Sequence, residues 1–160
     1  MEKLIQIGAL SLGGVFGVNA RFWFGLWINR WASQQFPWAT FVINVTGSFA
    51  IGFLTVVLSR WLPHPNLRLL VVTGFLGGYT TYSTFAFESL TLWERGEKGF
   101  SLAYITSTVI VGFLAVTFGV VSARELTTPR ADLATPSDLR VPADADPVPP
   151  ATVKEIQQRT

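Results

Sequence analysis

The feature of this chain that most constrains its fold is a series of long apolar stretches separated by short polar breaks. The stretches lie at residues 4–28, 38–58, 67–93 and 100–123. An α-helix rises about 1.5 Å per residue and the hydrocarbon core of a bilayer is about 30 Å thick, so about 20 apolar residues are needed to cross it. Each stretch reaches that length. The sequence therefore predicts an all-α membrane protein with four transmembrane helices joined by short loops.

The composition agrees with lipid as part of the solvent of this chain. Charged residues make up 14% of the 160 residues, and the mean hydropathy is +0.40. A soluble domain usually carries about 25% charged residues. The chain has no cysteine, which excludes a disulfide scaffold, thiolate catalysis and Cys-ligated zinc. Tryptophans stand at or just beyond the ends of the apolar stretches, as in the aromatic belt of a spanning bundle, at Trp27, Trp31, Trp38, Trp61 and Trp93.

The last part of the chain has a different composition. Residues 124–160 contain no aromatic residue and six of the nine prolines. Such a segment buries too little apolar surface to offset the loss of chain entropy. Its five basic and six acidic side chains also argue against a basic arm that binds nucleic acid. We therefore predict a transmembrane domain at residues 1–123 and a disordered, Pro- and Asp-rich tail at residues 124–160.

Basic residues give this chain little preference for one orientation in the membrane. With the N-terminus inside, five basic residues would lie on the inner side and three on the outer side, a weak bias under the positive-inside rule. We expect dual topology, in which copies insert in both orientations and pair as an antiparallel dimer. The inner set is Lys3, Arg60, Arg68, Arg124 and Arg130, and the outer set is Arg30, Arg95 and Lys98.

Two polar side chains stand inside the first two stretches. A charged or carboxamide group surrounded by hydrocarbon needs a partner or water. Arg21 is long enough to reach the nearby interface, and the alternative is a cation at the mouth of a pore. Asn44 either joins helices through a hydrogen bond or lines a pathway.

The third stretch combines two adjacent glycines with a run of hydroxyl side chains. Gly77 and Gly78 precede residues 79–84, all six of which carry hydroxyls. Glycine weakens a helix by about 1 kcal/mol relative to alanine, and Ser and Thr offer the backbone competing hydrogen bonds. One interpretation is a helix break near residues 77–81 that lines a cavity and whose carbonyls coordinate a cation. The other is a continuous helix whose hydroxyls bond to the preceding turn.

No set of residues in the sequence suggests an enzyme. His64 is the single histidine and stands between two prolines in a loop, and Glu88 is the only carboxylate inside a stretch. No second acid or histidine is placed to work with Glu88, for which a hydrogen bond between helices or at the interface is expected. In the fourth stretch, Tyr104 and Thr108 lie one turn apart on one face, where hydroxyls could follow a narrow path.

Three motifs together resemble the Fluc/CrcB family of fluoride channels, over about residues 1–123. They are Gly13-Gly14-x-x-Gly17-x-x-x-Arg21, Pro37-Trp38-Ala39-Thr40-x-x-x-Asn44-Val45-x-Gly47-Ser48-Phe49 and Gly74-Phe75-x-Gly77-Gly78-x-Thr80-Thr81-Tyr82-Ser83-Thr84-Phe85-x-x-Glu88. The resemblance implies a fluoride-selective channel that passively exports cytoplasmic fluoride across the plasma membrane of a microbial cell. It further implies four spans with a broken third helix, and an antiparallel dual-topology homodimer with a structural sodium ion at its centre. Gly74-x-x-x-Gly78 would offer this dimer a close-packing surface.

The same resemblance assigns roles to individual residues. Sodium would be bound by the backbone carbonyls of Gly77 and Thr80, and Arg21 would lie near an aqueous vestibule. Tyr82 stands where the family has a phenylalanine, so it keeps the ring edge and adds a phenol. The expected fluoride pathway consists of Asn44, Tyr82, Ser83, Thr84, Phe85, Tyr104 and Thr108.

Two other classes of membrane protein explain the sequence less well than a channel. A small multidrug-type exporter is also a four-helix dimer, but it needs a buried carboxylate, and residues 4–28 contain no Asp or Glu. A non-transporting assembly protein would explain the glycines but not the convergence of Asn44, the hydroxyl run and Tyr104. The sequence is compatible with a homodimer and with a pair of related subunits of opposite orientation.

Overall fold

Long helices dominate the computed structural model of the protein, which describes residues 1–33 and 35–128. Helix α1 spans Glu2–Asn29, α2 spans Trp38–Trp61 and α6 spans Lys98–Thr127. All three are long and apolar enough to cross a membrane. The prediction of an all-α membrane protein is therefore confirmed. The count of four spans and the antiparallel dimer stay predictions.

The third predicted span, residues 67–93, consists of several shorter helical elements. Their ranges are Pro65–Arg68 for α3, Leu69–Leu76 for the π-helix π1, Gly77–Tyr79 for α4 and Tyr82–Glu94 for α5. Between α4 and α5, Thr80 has φ −82° and ψ 158°, and Thr81 has φ −149° and ψ 111°. These two extended residues, called the break below, end the helical backbone at Tyr79 and restart it at Tyr82.

Glycines bring the helices into close contact in two pairs. Along α1, a Cβ at Gly13 would overlap the carbonyl oxygen of Leu70, and one at Gly17 would overlap that of Phe75. Helices α2 and α6 pack in the same way, because a Cβ at Gly52 would overlap the carbonyl oxygen of Val116. Small residues at such contacts are the usual way for membrane helices to approach each other.

Gly74 and Gly78 pack within the subunit. A Cβ at Gly74 would lie 2.9 Å from the carbonyl oxygen of Leu10, and one at Gly78 would lie 2.9 Å from that of Gly14. Both glycines therefore face α1 of the same chain. The expectation that they offer a surface to a second subunit is wrong.

The buried core is small and lies toward the α5–α6 end of the bundle. Its centre is formed by Phe85, Leu92 and Tyr104, with Phe36 and Phe41 packed against it. Many other large apolar side chains are exposed on the surface of the subunit. That distribution suits helices whose outer faces meet lipid or another subunit.

The predicted tail falls almost wholly outside the described residues. Residues 1–127 form one compact unit, and α6 continues to Thr127, past the predicted boundary at residue 123. The disordered tail is predicted at residues 124–160, of which residues 124–127 are helical, and residues 129–160 lie outside the part of the chain that the structure describes.

Candidate functional site

One side chain of α2 pairs with the backbone of the break. Thr81 N–H donates to Asn44 Oδ1 at 2.9 Å, and Asn44 Nδ2 donates to the Thr81 carbonyl oxygen at 3.0 Å. An unpaired backbone group inside a membrane costs several kcal/mol, and this carboxamide satisfies two of them. The structure thus shows Asn44 joining α2 to the third segment. Among the described residues, Asn44 Nδ2 donates only to the Thr81 carbonyl oxygen, and the role of Asn44 in a pathway stays a prediction.

A cationic side chain of α1 reaches the same break from another direction. Arg21 Nη1 donates to the Thr80 carbonyl oxygen at 3.2 Å, and the bond is partly buried. The two carbonyls of the break are therefore each held by a side chain from a different helix. The vestibule role expected of Arg21 stays a prediction.

Thr81 also caps helix α5 with its hydroxyl. Thr84 N–H donates to Thr81 Oγ1 at 3.3 Å, and Thr81 Oγ1 donates to Thr84 Oγ1 at 2.9 Å. Ser83 Oγ lies 3.4 Å from the same hydroxyl. The cap satisfies an N–H that has no partner at the start of a helix. Ser83 and Thr84, both predicted to line a fluoride pathway, thus belong to the cap.

An open groove of about 600 Å³ runs between α2, α6 and the break. Tyr82 is 80% exposed there, and its ring centroid lies 5.8 Å from that of the largely buried Phe85. Thr108 Oγ1 is buried in the groove wall and has no hydrogen-bond partner among the described residues. The predicted site residues that line this groove are Asn44, Gly77, Thr80, Tyr82, Phe85 and Thr108.

A hydroxyl–carboxylate cluster lies beside the groove, toward the α5–α6 loop. Thr40 Oγ1 donates to Glu88 Oε1 at 3.0 Å, and the fully buried Tyr104 donates its hydroxyl to Glu88 Oε2 at 2.8 Å. Tyr104, predicted for the pathway, therefore lies outside the groove lining and on the Glu88 carboxylate. For Glu88, the sequence predicts a hydrogen bond either between helices or at the interface. The structure shows hydrogen bonds between helices. The sequence does not indicate Thr40 as a partner of Glu88, because no periodicity connects residues 48 positions apart.

A polar cavity of about 310 Å³ is also lined by Glu88 of this cluster. Glu88 and Arg95 are its charged lining residues, and Asn29, Ser33 and Thr91 add polar groups. Phe85 lines the groove and its ring packs 5.2 Å from that of Tyr104. Tyr104 therefore contacts one residue that lines the groove, Phe85, and one that lines the cavity, Glu88.

The sequence of this chain is similar to those of known proteins. Residues 8–120 match the family model described as CrcB-like protein, Camphor Resistance (CrcB). The chain is 40% identical over 124 residues to a protein of Agrobacterium fabrum named fluoride-specific ion channel FluC, covering 77% of this chain and 99% of that one. Proteins of the same name from Rhizobium meliloti and a Hydrogenobaculum species are 39% identical over 127 residues and 43% identical over 112 residues. These alignments cover 79% and 69% of this chain, and 99% and 91% of the relatives.

Proposed function

The chain belongs to the CrcB family, and from that premise we propose that it is a fluoride-selective channel that passively exports cytoplasmic fluoride across the plasma membrane. The family consists of ion channels, so the chain is not an enzyme. It is a multi-pass membrane protein. Family membership favours a channel over both a multidrug-type exporter and a non-transporting assembly protein.

The observation that carries the proposal is the Thr108 hydroxyl, which lies in the groove wall beside Asn44 and has no hydrogen-bond partner in the part of the chain that the structure describes. Fluoride is small and strongly hydrated, so a selective pathway has to replace its water with closely spaced donors. The Thr108 hydroxyl and the second Nδ2–H of Asn44 can act as such donors. The ring of Phe85 adds a positive edge, which attracts an anion without the fixed charge that would slow its release.

We infer a route through the subunit from the side chains that line the groove and the polar cavity and are connected by contacts. Phe85 lines the groove and Glu88 lines the polar cavity, while Tyr104 contacts both. We propose that an anion moving from one cavity to the other passes these three side chains. The proposal therefore places Tyr104 in the pathway at this crossing, and Ser83 and Thr84 at the start of α5 beside the break.

A second copy of the chain is part of this proposal. The groove is open along its length, so one subunit does not enclose a pore. We infer an antiparallel dual-topology homodimer whose partner covers the groove, with residues 67–93 acting as a fourth, broken span. The near-even distribution of loop arginines and lysines supports insertion in both orientations.

A structural sodium ion at the dimer centre fits the residues present. In an unbroken helix, the N–H of Thr81 would donate to the carbonyl of Gly77, but here it donates to Asn44. The Gly77 carbonyl therefore does not accept from Thr81, and Gly77 and Thr80 line the same groove. Sodium is a hard cation that prefers oxygen ligands. Its positive charge would offset the converging carbonyl dipoles, so we infer that it is held and not transported.

Reconstitution into liposomes tests the proposed function. Purified protein in vesicles loaded with fluoride or with chloride should release fluoride rapidly and chloride at the rate of protein-free vesicles. Anion-selective electrodes measure both releases. Equal permeability to the two anions, or none to fluoride, would overturn the proposal.

A further inference from the structure

The two carbonyls of the break are held by donors of different charge. Asn44 donates a neutral N–H to the carbonyl of Thr81, whereas Arg21 donates from a guanidinium to that of Thr80. A guanidinium stays charged at any physiological pH. Within residues 1–33 and 35–128, Arg21 forms no ion pair with a carboxylate that would neutralise it. A full positive charge therefore lies within hydrogen-bond distance of a carbonyl in the groove.

We propose that Arg21 competes with the sodium ion for the Thr80 carbonyl and sets a low sodium affinity at the break. This inference rests on the proposed sodium site. A carbonyl oxygen has two lone pairs, so it can accept from Arg21 and still face a metal ion. A sodium ion and the Arg21 guanidinium bound to the same oxygen repel each other. The repulsion is stronger at a partly buried site, where the effective dielectric constant is lower than in water. Arg21 is thus a positioning residue that weakens cation binding.

The opposite role predicts an effect of opposite sign. If Arg21 served only to orient the Thr80 carbonyl toward the metal, its removal would weaken sodium binding. If it competes through its charge, removal of the charge strengthens sodium binding. The two roles therefore differ in the direction of one measurable quantity, the sodium concentration that gives half of the full thermal stabilisation.

Thermal unfolding of the full-length protein in detergent measures that quantity. Sodium chloride is titrated against choline chloride at constant ionic strength, with potassium chloride as the comparison salt. Arg21→Gln keeps a donor of shorter reach and removes the charge, whereas Arg21→Lys keeps the charge. Arg30→Gln is the matched control, since Arg30 is exposed beyond the end of α1.

Arg21→Gln should lower the half-stabilising sodium concentration by about fivefold, because a nearby like charge is removed. Arg21→Lys and Arg30→Gln should leave it within about twofold of the unsubstituted value. An unchanged or raised value in Arg21→Gln would overturn the inference. If Arg21→Gln does not fold, Arg21→Lys decides, since a raised value in that variant would show that guanidinium geometry and not charge matters.

The sodium site and the inference can fail separately. If sodium stabilises the unsubstituted protein no more than potassium does, the sodium site is wrong and the inference falls with it. If sodium stabilises the protein specifically and Arg21→Gln does not lower the half-stabilising concentration, only the inference is wrong. Fluoride release from liposomes is a separate measurement and tests the channel itself.

Discussion

At the scale of single residues, Asn44 has two functions that a substitution can separate. Its carboxamide pairs with both backbone groups of Thr81, which nothing else in the described residues satisfies. The same side chain lines the groove through which we expect fluoride to pass. Structural pairing affects the free energy of unfolding, whereas contact with the anion affects flux.

Asn44→Ala should destabilise the protein by about 2 kcal/mol or more, because it leaves two buried backbone groups unpaired. Thermal unfolding in detergent measures the loss. Asn19→Ala is the matched control, since Asn19 donates only to the carbonyl of Val15 within α1, at 2.8 Å, and is exposed. Equal unfolding temperatures for the two variants would contradict the structural role of Asn44.

Thr108 allows a cleaner test of transport. Thr108→Val removes a hydroxyl that has no partner in the described structure, so stability should be kept while fluoride flux falls roughly tenfold, the value of one lost hydrogen bond. Thr117→Val, on the same helix, removes a hydroxyl that donates to the carbonyl of Phe113 at 2.9 Å and faces outward. Liposome efflux should be normal for Thr117→Val, and reduced flux in both variants would argue against a specific role for Thr108.

Tyr82→Phe should retain fluoride transport. The phenol is exposed in the groove and the ring edge is preserved in the variant. Efflux from liposomes that contain the variant checks this expectation. Abolished flux in a protein that still unfolds at the normal temperature would show that the phenol itself contacts the ion.

At the scale of elements, the third segment shows how far the sequence predicts local structure and where it stops. The Gly-Gly pair draws attention to residues 77–81, yet Gly77 and Gly78 are helical and the extended residues are Thr80 and Thr81. Gly78 is required for close approach to α1, a tertiary contact that local propensity does not contain. The position of the break depends on Asn44 and on the cap by Thr81, so it needs α2 in place.

Gly78→Ala should destabilise the packing of the third segment on α1. The added Cβ would lie 2.9 Å from the carbonyl oxygen of Gly14, and displacing backbone costs about 1–3 kcal/mol. Gly14→Ala is the control from the other side of the same contact, because a Cβ there meets nothing within 4 Å. Unfolding temperatures should fall for Gly78→Ala only. A normal temperature for Gly78→Ala would mean that the contact is looser than the structure indicates.

At the scale of the whole molecule, hydropathy predicts where helices run but not which helices meet. The spans α1, α2 and α6 follow from apolar length alone. Helix α2 pairs with α6, and α1 pairs with the third segment. Both pairings depend on glycines of one helix that lie directly against the backbone of the other. The cluster of Thr40, Glu88 and Tyr104 likewise joins three helices, and no single stretch of sequence reveals it.

The proposed dimer should persist on dilution in lipid. Separating the subunits would expose polar groups of the groove, among them the side chain of Tyr82, to hydrocarbon that offers no hydrogen bonds. Flux per protein molecule should therefore stay constant as the lipid-to-protein ratio rises. A steep fall in flux per molecule would show reversible dissociation.

The open groove has a consequence for how many channels a cell obtains. If the protein forms the proposed antiparallel dimer and a pair does not separate once formed, its members cannot exchange partners later. Each subunit then depends on meeting a copy inserted in the opposite direction soon after synthesis. The supply of working channels is consequently set by the rarer of the two orientations, and every surplus copy of the commoner one is left with a groove facing lipid.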